Sequence, residues 1–142
     1  MKRSVTFAAL ATAAFGATAG IAFAAAHMAA PMVEASDQSV ENGIVSAGMV
    51  QAQENGWLVV HRTDAEMAPG PVVGHAPLRA GENADVAAIL TEDVAAGDML
   101  MLMVHSEAGG TERGIFEYTL GATEDGPIRI DDQLVMTVIT VQ

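Results

Sequence analysis

From residue 33 onward, apolar positions come in short runs that alternate every second residue and stop at clusters of Gly, Pro, Asn or Asp. A period of two marks a half-buried strand. An amphipathic helix would instead repeat every three or four positions, and no capped stretch of that kind occurs there. The pattern predicts strands over 33–40, 44–51, 57–62, 72–75, 85–90, 99–106, 116–120 and 134–141. Asn55-Gly56 supplies a tight turn, since both residues tolerate positive φ. Further breaks fall at Ala68-Pro69-Gly70-Pro71, Ala76-Pro77, Gly81-Glu82-Asn83, Ala95-Ala96-Gly97-Asp98 and Asp125-Gly126-Pro127.

Short strands at near-regular spacing predict an all-β domain, an antiparallel immunoglobulin-like β-sandwich of about seven to eight strands. Alternation assigns the faces. Trp57, Val59 and His61 share one face of their strand, and Leu58, Val60 and Arg62 the other. Met99, Met101, Met103 and His105 likewise oppose Leu100, Leu102 and Val104. Both strands are apolar on both faces over most of their length. They are expected at the centre, covered on one side by a second sheet and on the other by loops or a short segment.

The N-terminus carries a different signal. Lys2 and Arg3 precede an uncharged, alanine-rich run over 5–26. A basic start, an apolar middle and small residues at a cleavage point make a secretory signal peptide, expected as a helix. Ala22-Phe23-Ala24 and Ala24-Ala25-Ala26 both suit cleavage. A retained anchor needs about 20 apolar residues, but Gly16, Gly20 and the alanines make this run weakly hydrophobic. The expected organisation is a signal peptide at 1–26, a lead-in segment at 27–42 and the sandwich at 43–142. The location is periplasmic or extracellular, with no stable membrane span after cleavage. The chain has no cysteine, which excludes lipid attachment through cysteine, disulfides and cysteine–metal sites.

Charge narrows the partners. The formal net charge is −12, with 18 acidic residues against six Lys and Arg, two of which are Lys2 and Arg3. Nucleic acid needs clustered cations, so it is not expected as a partner. Anionic membrane surfaces are disfavoured for the same reason. A protein partner at the cell envelope stays open.

His61, His75 and His105 each sit at or near the end of a predicted strand, where the loops of a sandwich converge. Three neutral imidazoles meeting there would bind copper or zinc. Met67 and Met103 lie close in sequence, and a thioether beside imidazole favours copper, above all the reduced ion. His27 and Met28 would add a contact near the mature N-terminus. The competing reading is structural: a strand-end histidine commonly holds a turn by bonding its carbonyls, and methionines at period two fill cores. Acidic pairs at 64/66, 92/93, 124/125 and 131/132 suit solvated turns better than a calcium cage of six to eight oxygens. Ser46, Ser106 and Thr111 are raw material for hydrolysis, but no Gly-x-Ser-x-Gly elbow is present, and no enzyme is expected.

A succession of motifs adds a resemblance. Trp57-Leu58-Val59-Val60-His61 is followed by Val72-Val73-Gly74-His75-Ala76-Pro77-Leu78 and Ala80-Gly81-Glu82-Asn83-Ala84-Asp85-Val86. Val104-His105-Ser106, Phe116-Glu117-Tyr118 and Asp125-Gly126-Pro127-Ile128 complete the order. In this order the chain resembles a family of exported archaeal and bacterial domains of unknown function. The resemblance implies a sandwich and an exported location, and no activity. The expected function is therefore an acidic exported module for binding or structure, with a copper-binding protein using the strand-end histidines as the alternative.

Overall fold

The computed structural model describes residues 29–142. The predicted signal segment, His27 and Met28 lie outside the described residues. Among the described residues nine strands follow in chain order: β1 (Met32–Glu34), β2 (Ile44–Ala52), β3 (Gly56–Thr63), β4 (Val72–Leu78), β5 (Gly81–Leu90), β6 (Met99–Ser106), β7 (Arg129–Ile130), β8 (Gln133–Leu134) and β9 (Met136–Thr140). Among the described residues no helix is long and apolar enough to cross a membrane.

The all-β, antiparallel expectation holds. In place of two facing sheets, however, seven strands form one continuous sheet in the order β1-β2-β5-β4-β3-β6-β9, and β7 and β8 form a small ribbon beside it. The sheet curls until its ends nearly meet, close to a barrel. Gln38 forms a parallel bridge to Val141, and Gln142 N donates to Gln38 O at 2.9 Å. Thr140 N donates to the Asp37 carboxylate at 2.8 Å. Closure of this kind satisfies edges that would otherwise template aggregation. It also shortens the predicted 33–40 strand to β1, because the chain must turn at Gln38 to reach both β9 and β2. The Gln38 amide ties that corner to β2 by bonding both Ser46 N and Ser46 O at 2.8 Å.

Two other boundaries differ from expectation. The strand predicted to stop before Ala76-Pro77 runs on to Leu78. Pro77 is tolerated because β5 pairs with β4 only at Gly74 and His75, so beyond them β4 is bonded on one side. Residues 116–120, predicted as a strand, form none. Their Phe and Tyr alternate as in a strand, but the segment lies across the sheet rather than along its edge.

Two apolar layers result. Inside the curl, Leu58 and Val60 of β3 meet Leu100, Leu102 and Val104 of β6, with Val45, Val50, Val73 and Ile139 from neighbouring strands. The other face of β3 and β6 carries Trp57, Val59, His61, Met101, Met103 and His105, all buried as well. The segment between β6 and β7 roofs this outer layer with Phe116 and Tyr118. On the far side of β3, Arg62 clamps the 91–98 loop, reaching Glu92 at 2.6 Å and Asp98 at 3.0 Å.

Gly56 shows how tightly β3 and β6 are joined. A Cβ there would overlap the carbonyl of His105. Gly56→Ala is expected to cost about 1–3 kcal/mol through forced separation of the two strands, read as a lowered midpoint in urea unfolding. A midpoint equal to wild type would contradict this close approach.

Candidate functional site

The β3–β6 register sets His61 opposite Met101, Val59 opposite Met103 and Trp57 opposite His105. The two histidines are therefore four ladder positions apart, roughly 13 Å at about 3.4 Å per residue. They close that distance by leaning toward each other over the Val59–Met103 pair. The rings stack at 5.4 Å between centroids, and His61 Nε2 lies 3.4 Å from His105 Nε2. A shift in the β3–β4 register falls between Val60 and His61. Such a bulge re-aims the side chain beside it.

Each ring is pinned at its other nitrogen. His61 Nδ1 donates to Gly70 O at 2.8 Å, and His105 Nδ1 donates to Asp125 O at 2.7 Å. A carbonyl oxygen can only accept, so the hydrogen of each neutral ring resides on Nδ1. Each Nε2 then presents a bare lone pair, and the two lone pairs face each other. Protonation does not relieve this. Burial pushes His61 below the ordinary imidazole range, with the Gly70 carbonyl opposing only in part. Burial lowers His105 further, to about 4, against the Asp125 carbonyl and with help from His61. Both rings are neutral at neutral pH, and a cation is the complement that the facing lone pairs lack.

The loops that supply the two carbonyls are themselves fixed. Gly70 N donates to Arg62 O at 2.8 Å, and a Cβ on Gly70 would come within 2.7 Å of that same oxygen. Only glycine lets this loop lie so close to β3. Asp125 is buried, and its carboxylate accepts from Ala108 N at 3.1 Å and Glu117 N at 2.8 Å. It thus holds both ends of the roof. Glu117 in turn accepts from Thr111 N at 2.6 Å and Glu112 N at 3.1 Å. Over the histidines lies Tyr118, edge-on to His105 at 4.5 Å and to His61 at 5.9 Å. Its hydroxyl oxygen accepts from Gly121 N at 3.3 Å.

The residues singled out from the sequence divide into two sets. His61 and His105 meet, and Met103 lies buried at the ladder position midway between them. His75 sits apart, with an exposed ring stacked on Phe116 at 4.3 Å and edge-on to Trp57 at 5.6 Å. Partial burial against these rings lowers its pKa. Met67 is 49% exposed in the turn before Gly70, on the loop that tethers His61. Among the described residues no three His, Asp or Glu side chains converge. Trp57 Nε1 is buried without an oxygen or nitrogen acceptor. Its ring meets those of His75 and Phe116 edge-on, the geometry in which an N–H can rest on a π face. The acidic pairs serve turns and loops: Asp64 accepts from Glu66 N, and Glu92 holds Arg62. Sequence reasoning missed Gly70, Asp125 and Tyr118. The only signals available were Gly70 within its Pro-Gly-Pro run and the spacing of Phe116 and Tyr118 on one face.

Two outcomes follow for the metal-free protein. His105, with a folded pKa below its unfolded value, contributes stability that is complete above the unfolded pKa and is lost as pH falls toward about 4. Between pH 6.5 and 5, the loss should be about 1–2 kcal/mol, measured by urea unfolding, with a shallower slope in His105→Gln. Asp125→Asn should cost about 1–3 kcal/mol, since the new amide presents a donor to backbone N–H groups. It should also expose 107–124 to proteolysis, and an equally resistant variant would contradict the holding role.

Comparison with known proteins places this geometry in a family. The family model described as Domain of unknown function (DUF7282) matches residues 31–142, the whole sheet and roof. No curated protein and no solved structure matches the chain.

Proposed function

We propose, for a chain that belongs to the DUF7282 family, that it is an exported β domain whose role is to bind a transition-metal ion between His61 and His105. The observation that carries the reading is the 3.4 Å approach of two Nε2 atoms whose Nδ1 partners are both backbone carbonyls. Metal-ligating histidines characteristically donate their second nitrogen to a carbonyl or carboxylate, which fixes tautomer and ring direction. Here both rings are fixed in that way by two separate loops. Two bonds of about 2.0 Å closing on this span would subtend about 115° at the ion, between the trigonal and tetrahedral angles. The depressed imidazole pKa values also favour binding, because no proton has to leave either nitrogen near neutral pH.

Export rests on the basic, alanine-rich N-terminus and on the solubilising excess of acid. A periplasmic or extracellular address would set the protein among metal ions rather than nucleic acids. Binding is the role proposed, with no catalytic step.

An ion that binds only the folded state raises the melting temperature by mass action. Addition of Cu(I), Cu(II), Zn(II), Co(II) or Ni(II) is expected to raise it for at least one ion at micromolar concentration, and His61→Ala should abolish the rise. No shift with any of the five, or a shift that survives His61→Ala, would remove the metal reading.

A further inference from the structure

The dyad leaves an open side. A linear two-coordinate ion would need its nitrogens about 4 Å apart, so a span of 3.4 Å bends the arrangement and calls for a third donor. The surroundings restrict what that donor is. Among the described residues no third imidazole or carboxylate joins the pair, and His75 is committed to Phe116 and Trp57. The Tyr118 hydroxyl is turned to Gly121 N, from which it accepts at 3.3 Å. On the sheet side, the ladder position midway between the two histidines belongs to Met103, which is 1% exposed, and to Val59, which has no donor atom. Met101 stands opposite His61, at one end of the site rather than beneath its centre.

Resting on the metal-binding reading above, we infer that the ion is Cu(I), held in a three-coordinate site by His61 Nε2, His105 Nε2 and the Met103 thioether. Two imidazoles and one thioether form a soft, uncharged set suited to the cuprous ion. Zinc ordinarily takes four ligands. Charge points the same way. The cost of moving an ion into an apolar layer rises with the square of its charge, so a divalent ion would pay about four times the desolvation of a monovalent one and find no anionic ligand to offset it.

The test uses the full chain under anaerobic conditions. Cu(I), supplied with ascorbate, is titrated against a chromophoric Cu(I) chelator, and Zn(II) is titrated separately. X-ray absorption at the copper edge reads the ligand atoms. The expected result is one Cu(I) per chain, bound more tightly than Zn(II), with one sulfur and two imidazole nitrogens in the absorption spectrum. Met103→Leu should weaken Cu(I) at least tenfold and remove the sulfur signal. Met101→Leu and His75→Gln should leave both unchanged. The melting temperature of metal-free Met103→Leu, close to wild type, shows that any loss is not unfolding. Zn(II) binding tighter than Cu(I), a spectrum without sulfur, or an unaltered Met103→Leu affinity overturns the cuprous three-ligand site while leaving the dyad as a metal site. Failure of every ion to bind overturns both.

Discussion

Two adjacent strands that are apolar on both faces impose the central constraint. β3 and β6 cannot leave either face in water without exposing a run of Val, Leu, Met and Trp, each contributing about 1.5–3 kcal/mol when fully buried. The curled sheet buries Leu58, Val60, Leu100, Leu102 and Val104 on one side. The other side still needs a cover, and the connection from β6 to β7 provides it. The roof is thus a surface connection that lays Phe116 and Tyr118 on the outer apolar layer of the sheet. Histidine enters that layer because its ring packs like an aromatic, provided that its nitrogens find partners. The backbone carbonyls of Gly70 and Asp125 meet half of that need.

From the pattern of the chain, most of the strands and the two-sided burial of β3 and β6 were readable, whereas the pairing of the last strand with Met99–Ser106 was not. The period-two alternation is a local property, and local properties survive into the fold. Sheet closure was not readable. It depends on Gln38 bonding Gln142 N through its carbonyl and the Ser46 backbone through its side chain, and nothing in a glutamine announces such partners. For the same reason residues 116–120 were misassigned. Phe116 and Tyr118 have strand spacing, but Asp125 captures Glu117 N with a carboxylate, so that backbone group is not available to a ladder.

The site shows the same division. His61 and His105 stood out as strand-end residues, and alternation gave the neighbours sharing each one's face within its own strand. Their approach depends on a bulge and on the β3–β6 register, and both are set by contacts distant in sequence. His75 carries an equally suggestive signal and lies opposite Val59 on the same face, but its ring stacks on Phe116 instead of joining the pair. Proximity of histidines in a sequence motif therefore says less than the carbonyls behind them.

Those carbonyls come from opposite margins of the outer layer. The 64–71 loop tethers His61, and the roof tethers His105 through Asp125. An ion held by both rings would join two segments that otherwise touch the sheet independently. In the unfolded chain, His61 and His105 are 44 residues apart, and closing such a loop carries an entropic cost that grows slowly with length. The folded sheet meets most of that cost before any ligand arrives, because the β3–β6 ladder already fixes both backbones. What an ion would add is local: it would remove the repulsion between two facing lone pairs and link the margins of one apolar layer. The cover would then be the least independent part of the domain, since releasing it would expose Met101 and Met103 and break the tether of His105 in the same motion.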